Sequence, residues 1–253
     1  MYTFGIVSLF PELIEPVVRH GVVGRARQRE LIAVEHASPR DFTPDRHQTV
    51  DDRPYGGGPG MVLKYEPLRD AIRSLRGRMP AGSFELVLSA QGRRFDHAYA
   101  NELAAAPGVL LVAGRYEGLD ERVLLGEVPA ELSLGDYVLS GGEPAAAVII
   151  DAVARLLPGV LGHADSSADD SFAAGLLGYP QYTRPEQIDG MRVPDVLLTG
   201  HHEAVRRWRL KQALGRTWLR RPQLLSGRAL SREEAELLEE FKDQRASHCD
   251  VGD

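Results

Sequence analysis

The sequence predicts an α/β domain on a mostly parallel sheet, followed by a small helical C-terminal domain. Over residues 1–160, short apolar runs alternate with stretches whose apolar residues recur at helical spacing, the pattern of strands and the helices that cover them. Glycine-rich connections stand at residues 55–60, 114–118 and 135–142, the last two directly after strand candidates. Beyond Pro158-Gly159 the alternation stops and the composition changes.

The strand candidates are residues 4–9, 31–34, 84–88 and 109–113, with a weaker run at 132–134. Between them, residues 68–75, 97–105 and 145–157 carry apolar side chains at helical spacing. Residues 162–170 are small, polar and acidic with no periodicity, so 161–171 is expected to be a flexible linker. Residues 172–253 are expected to be a helical domain. Ser231 with Glu234 forms a capping-box pattern before Leu237, Leu238 and Phe241, which predicts a final helix starting there.

Bulk properties narrow the function. No stretch approaches the roughly 18 apolar residues of a membrane span, and Met1 to Phe10 lacks a basic region before an apolar one. The expected location is the cytoplasm, with no membrane partner. A single cysteine, Cys249 in a polar tail, excludes an intrachain disulfide, a multi-cysteine zinc site and a cysteine nucleophile. A formal net charge of -6 argues against non-specific coating of nucleic acid. Any RNA contact is therefore local, and one stretch stands out: from Arg206 to Arg221 there are seven Lys or Arg residues and no acid.

Each chemistry-bearing segment has a plain reading beside a functional one. Tyr55-Gly56-Gly57-Gly58-Pro59-Gly60-Met61 lacks the Gly-Lys-Ser/Thr of a P-loop and the third glycine of a dinucleotide fingerprint. A tight loop without a ligand is as good a reading as a backbone cradle. Gly114-Arg115-Tyr116-Glu117-Gly118 puts a glycine where a strand ends, so a ligand can come close. Glu117 could equally pair with Arg115 or Arg122 on a solvated surface. Gly135-Asp136-Tyr137-Val138-Leu139-Ser140-Gly141-Gly142 mixes apolar side chains with exposed backbone, which suits a purine in an apolar slot as well as an ordinary turn. On a helix, Arg206, Arg209, Arg216 and Arg220 share one face and Leu210, Leu214 and Trp218 another. That face is either a phosphate-binding stripe or a packing surface.

Taken in order, these segments resemble the bacterial tRNA (guanine-N1)-methyltransferases, the TrmD family of the SPOUT class. The resemblance spans nearly the whole chain. It rests on the run from Asp51-Asp52-Arg53-Pro54 through Met61, on Gly114 to Gly118, on Gly135 to Glu143, and on Trp208-Arg209-Leu210-Lys211-Gln212 through Thr217-Trp218-Leu219-Arg220-Arg221-Pro222. Ala90 stands where the family often has proline, a departure outside the expected catalytic positions.

The resemblance implies a SPOUT-type trefoil-knotted domain over 1–160, a homodimer with its active site at the subunit interface, and S-adenosyl-L-methionine as methyl donor. By matching position, Val87, Leu88, Ser89, Gly114, Tyr116 and Glu117 line one side of the donor. Leu134, Gly135, Asp136, Tyr137, Val138, Leu139, Gly141 and Gly142 line the other. Asp170, in the linker, matches the general base, with Asp169 beside it as the wrong choice, and Arg155 matches the cation that stabilises the guanine. Asp51, Gly60, Arg206, Arg209, Arg216 and Arg220 are expected to hold the tRNA. Mg2+ has been linked to the family's catalysis, but no pattern here spells a dedicated metal site. Two alternatives stay open at this point: a related SPOUT enzyme acting on another nucleotide, and a non-catalytic RNA-binding module.

Overall fold

The computed structural model describes residues 1–162 and 170–249. Asp169 and most of the expected linker lie outside the described residues. The chain divides into two compact units, Met1–Ala164 and Asp165–Asp253.

The first unit is built on β1 (Tyr2–Val7), β2 (Ile32–Ala37), β5 (Phe84–Arg94), β6 (Gly108–Ala113) and β7 (Glu131–Ser133), while β3 (Asp51–Asp52) and β4 (Val62–Leu63) form a separate small hairpin. The helices are α1 (Glu15–Arg19), α2 (Gly21–Gln28), α3 (Tyr65–Arg76), α4 (His97–Ala105), α5 (Arg122–Gly126) and α6 (Glu143–Ala154). The large sheet has five strands in the order β2-β1-β6-β5-β7, and every pairing is parallel.

Such a sheet needs cover on both faces, which explains why β1 and β6 are buried throughout and why β6 is a continuous apolar run. Along β6, Val109 and Leu111 face one layer and Leu110 and Val112 the other. On the first side Phe4, Ile6, Leu86 and Leu88 pack with Ile149, Ile150 and Val153 of α6. On the second, Val7 and Val87 pack with Leu68, Ile72 and Leu75 of α3.

The second unit differs from expectation. Apart from a single 3-10 turn at Asp195–Leu197, residues 171–201 are not helical: they run irregularly and hold a short antiparallel hairpin, β8 (Gln187–Ile188) with β9 (Met191–Arg192). Pro180, Pro185 and Pro194 interrupt this stretch, and each lacks the N–H a helix interior needs. The helices are α7 (His202–Arg220) and α8 (Arg232–Cys249). The capping box forms in full, with Glu234 N donating to Ser231 Oγ at 3.2 Å and Ser231 N donating to Glu234 Oε2 at 2.8 Å.

Leu214, Ala213, Leu237, Leu238 and Leu176 make the core of this unit, with Leu210 packed against it. Trp218, expected on the apolar face, is 37% exposed instead, and Lys242 sits over its ring at 5.5 Å. Gly215 lets α8 come close to α7: a Cβ there would run into the ring of Phe241.

Candidate active site

Because β5, β6 and β7 are parallel, their carboxyl ends lie side by side, and the loops that follow converge there. Val87 and Leu88 are the last buried residues of β5 before the chain turns polar, and Ser89 Oγ accepts from Gln91 N at 3.1 Å. The register of β5 against β7 slips between Leu88 and Arg93, which lets residues 89–92 bulge at the rim.

From β6 the chain passes Gly114 into Tyr116, which holds a left-handed backbone at φ +62°. That conformation is costly for a tyrosine and recurs where structure around a site enforces it. From β7, buried Ser133 shapes the next loop: its hydroxyl accepts from Gly135 N at 3.2 Å.

Two of these loops are stitched together. Gly142 N donates to Gly114 O at 2.8 Å, and Arg115 and Gly141 form an antiparallel bridge. The approach is close enough to require glycine, since a Cβ on Gly142 would stand 2.7 Å from Ala113 Cα and one on Gly141 would strike the Arg115 side chain.

The loops enclose a cleft of about 430 Å3, within the ~300–1,000 Å3 of small-molecule sites. Its rim is apolar and open: Tyr116, Tyr137, Val138 and Leu139 are 48%, 55%, 90% and 41% exposed. Thirteen of the fourteen residues expected to hold the methyl donor line this cleft; Asp136 does not.

Beneath the rim lies a polar network that sequence reasoning did not assign. Glu143, at the first turn of α6, is fully buried, yet Arg115 Nε donates to its Oε2 at 2.9 Å and Ser8 Oγ to its Oε1 at 2.7 Å. The Arg115 guanidinium also lies over the Phe10 ring at 4.7 Å. A buried carboxylate is tolerable only when paired and hydrogen-bonded in this way. The visible signal was an acid placed directly after Gly141-Gly142 at a helix start, where the helix dipole favours it.

Behind the cleft, Glu127 joins α3 to the entry of β7. Arg73 Nη2 donates to it at 2.7 Å and Arg76 Nη1 at 3.2 Å, and these bonds hold its carboxyl below the ordinary glutamate value of 4.5.

The β3–β4 hairpin braces the same site. Glu117 N donates to Met61 O at 3.0 Å, Leu63 N donates to Gly118 O at 3.0 Å, and Gly60 packs directly against the Glu117 side chain. The structure therefore joins Gly60, expected to meet tRNA, with Glu117, expected to meet the donor. Asp51 sits at the base of the hairpin, paired with Leu63. Tyr55 at its tip is fully exposed, and Gly56, Gly57 and Gly58 after it have open space around them.

The residues 2–227 match the family described as tRNA (Guanine-1)-methyltransferase TrmD. The chain is 59% identical to the tRNA (guanine-N(1)-)-methyltransferase of Methylococcus capsulatus, over 94% of this chain and 95% of that one. It is 57% identical to those of Chromohalobacter salexigens (98% and 95% covered) and Escherichia coli K12 (96% and 95%). The chain belongs to the TrmD family.

Other expected residues of this TrmD-family chain stand outside the cleft. Arg155 caps the C-terminus of α6, half-buried, its N–H bonded to Asp151 O at 3.2 Å. Asp170 is exposed at the start of the described part of the second unit, where Ala173 N donates to its carbonyl at 3.3 Å.

The basic stripe on α7 is less uniform than its sequence. Arg206 is paired with Glu203 at 2.7 Å and with Glu233 of α8 at 2.6 Å. Arg209, Arg216 and Arg220 have no carboxylate partner among the described residues. Acids from α8, distant in sequence, thus neutralise one end of the helix. Among the described residues no cluster of three or more His, Cys, Asp or Glu could hold a metal ion, and no helix is long and apolar enough to cross a membrane.

Proposed function

We propose that this chain transfers the methyl group of S-adenosyl-L-methionine to N1 of the guanosine immediately 3′ of the tRNA anticodon. The observation that carries the reading is the cleft: strand-end loops drawn together by Gly114, Gly141 and Gly142, where added Cβ atoms at the last two would collide. The exposed apolar side chains suit the adenine of the donor. When bound, the donor supplies a methyl group on positively charged sulfur, which needs no activation by the protein.

The work of the protein is then on the acceptor. Guanine N1 carries a proton at neutral pH, and Asp170 is the general base that takes it as the new bond forms. Arg155 faces the negative charge that gathers on O6. Asp170 is exposed and Arg155 is half-buried at a helix end, which is compatible with these roles. The base and the donor cleft belong to separate compact units, which fits an active site completed across a homodimer. Val148, 50% exposed on an otherwise apolar α6, fits burial against a second copy. The first unit is proposed to be trefoil-knotted, a reading supported by the tight approach of residues 141–142 to 113–114. A Mg2+ requirement is left to direct titration of the reaction.

The test is incubation of the purified protein with labelled donor and a tRNA bearing guanosine 3′ of its anticodon. Mass spectrometry of the nucleosides should show N1-methylguanosine at that position. Label on another nucleotide, or none, refutes the reading.

A further inference from the structure

The second unit contains a cleft to which the proposed chemistry gives no task. It lies between α7 and the irregular segment 179–186 and encloses about 870 Å3. Val205, Trp208 and Arg209, at i, i+3 and i+4, present one helix face to it. Across from them the Tyr182 ring stands 6.3 Å from that of Trp208, tilted by 51°, and is 50% exposed. The Arg209 guanidinium covers the Tyr179 ring at 4.8 Å.

The charge at this cleft is one-sided. Arg184 and Arg209 in its wall have no carboxylate partner among the described residues, whereas Arg206, Arg207 and Lys211 of the same helix are taken by Glu203, Glu233 and Glu240. The one carboxylate in the described wall, Glu186, is held by Arg192 at 2.8 Å. Ring faces with unneutralised guanidinium groups beside them match a flat π-system that carries an anion. A lipid tail has no use for the arginines, and a sugar site wants carboxylates and amides. A nucleotide satisfies both features.

We propose that this cleft takes one unstacked nucleobase of the RNA substrate, stacked on Trp208 with Tyr182 against its edge, and with Arg184 and Arg209 on its flanking phosphates. The proposal rests on the reading of the chain as a tRNA methyltransferase. It adds a second place where the RNA is read, by strandedness and not by base identity, since every base offers a π-face and only an unpaired one can be splayed out.

The experiment uses the full chain. Trp208 and Trp218 are the two tryptophans, so Trp218→Phe leaves Trp208 as the sole indole. Its emission should be quenched saturably by a seven-nucleotide single-stranded RNA and not by a duplex of equal length. Trp208→Ala should weaken tRNA binding about tenfold, the loss expected for one stacked base, and Tyr182→Ala about threefold or more for the lost edge contact. That loss should raise KM for tRNA while kcat at saturation holds. Trp208→Phe should restore most of the affinity, and the salt dependence of binding should stay unchanged because no phosphate contact is lost. Wild-type tRNA affinity in both alanine variants, or equal quenching by duplex, overturns the proposal. If Trp208→Ala unfolds, Tyr182→Ala on its exposed segment decides alone. Failure of the wild-type chain to methylate tRNA would instead strike the functional reading.

Discussion

Removing either partner of the Arg115–Glu143 pair should destabilise the first unit, and by unequal amounts. In Glu143→Ala the orphaned Arg115 is 17% exposed and keeps the Phe10 ring, so solvent and the aromatic face relieve part of its charge. The cost is about 2 kcal/mol, a lost charged hydrogen bond with partial relief. In Arg115→Ala the orphan is Glu143, whose side chain is fully buried and retains only the Ser8 hydroxyl. Breaking a buried pair in that direction costs about 3–5 kcal/mol. For a unit of this size each kcal/mol lowers Tm by roughly 2–4 °C, so the losses should be about 6 °C and about 12 °C. The double variant should cost less than the sum, with a coupling of about 1–3 kcal/mol. Differential scanning calorimetry of the four proteins measures all of this. Equal losses, or strict additivity, would refute the account of a buried carboxylate held chiefly by one guanidinium.

Four further outcomes are expected. Asp170→Asn should abolish methyl transfer while calorimetry shows donor affinity within about threefold of wild type; equal loss of both would mean the base is misassigned. Gly142→Ala should weaken donor binding at least about tenfold, since its Cβ would press on the Ala113 backbone 2.7 Å away; unchanged affinity by the same titration refutes it. Glu127 has its carboxyl lowered in the folded state by the Arg73 and Arg76 hydrogen bonds, so its stabilisation is complete above the unfolded value of 4.5 and fades as pH falls through the lower folded value. Urea midpoints for Glu127→Gln should therefore lie below wild type at pH 7 and approach it as the pH falls through the lowered folded value. Gly215→Ala ordinarily favours a helix by about 1 kcal/mol, yet here it should destabilise the second unit by about 1–3 kcal/mol because Phe241 occupies the space.

The central strands β1 and β6 were legible because they are buried on both faces, which writes a continuous apolar run such as that of β6 into the sequence. The first helices, α1 and α2, were missed: they are short, and α2 begins and continues through Gly21 and Gly24. The extension of β5 from Ser89 to Arg94 is polar and largely exposed, so it carries no apolar signature. At the site, glycines marked where backbone comes close, and the resemblance supplied what for. The Ser8–Glu143 bond joins residues far apart in sequence and leaves no local trace. Nor could the pairing of Arg206 with Glu233 be read from a stretch that itself contains no acid.

The stitching of residues 113–115 to 141–142 also sets where this chain can be lengthened. A residue inserted in either loop displaces a partner that has no slack, so both loops are expected to keep a fixed length in any functional variant. At the hairpin tip, a Cβ added to Gly56, Gly57 or Gly58 would meet nothing within 4 Å. A small label there would leave the packing of the first unit undisturbed, and its response to added tRNA would report whether this hairpin meets the RNA.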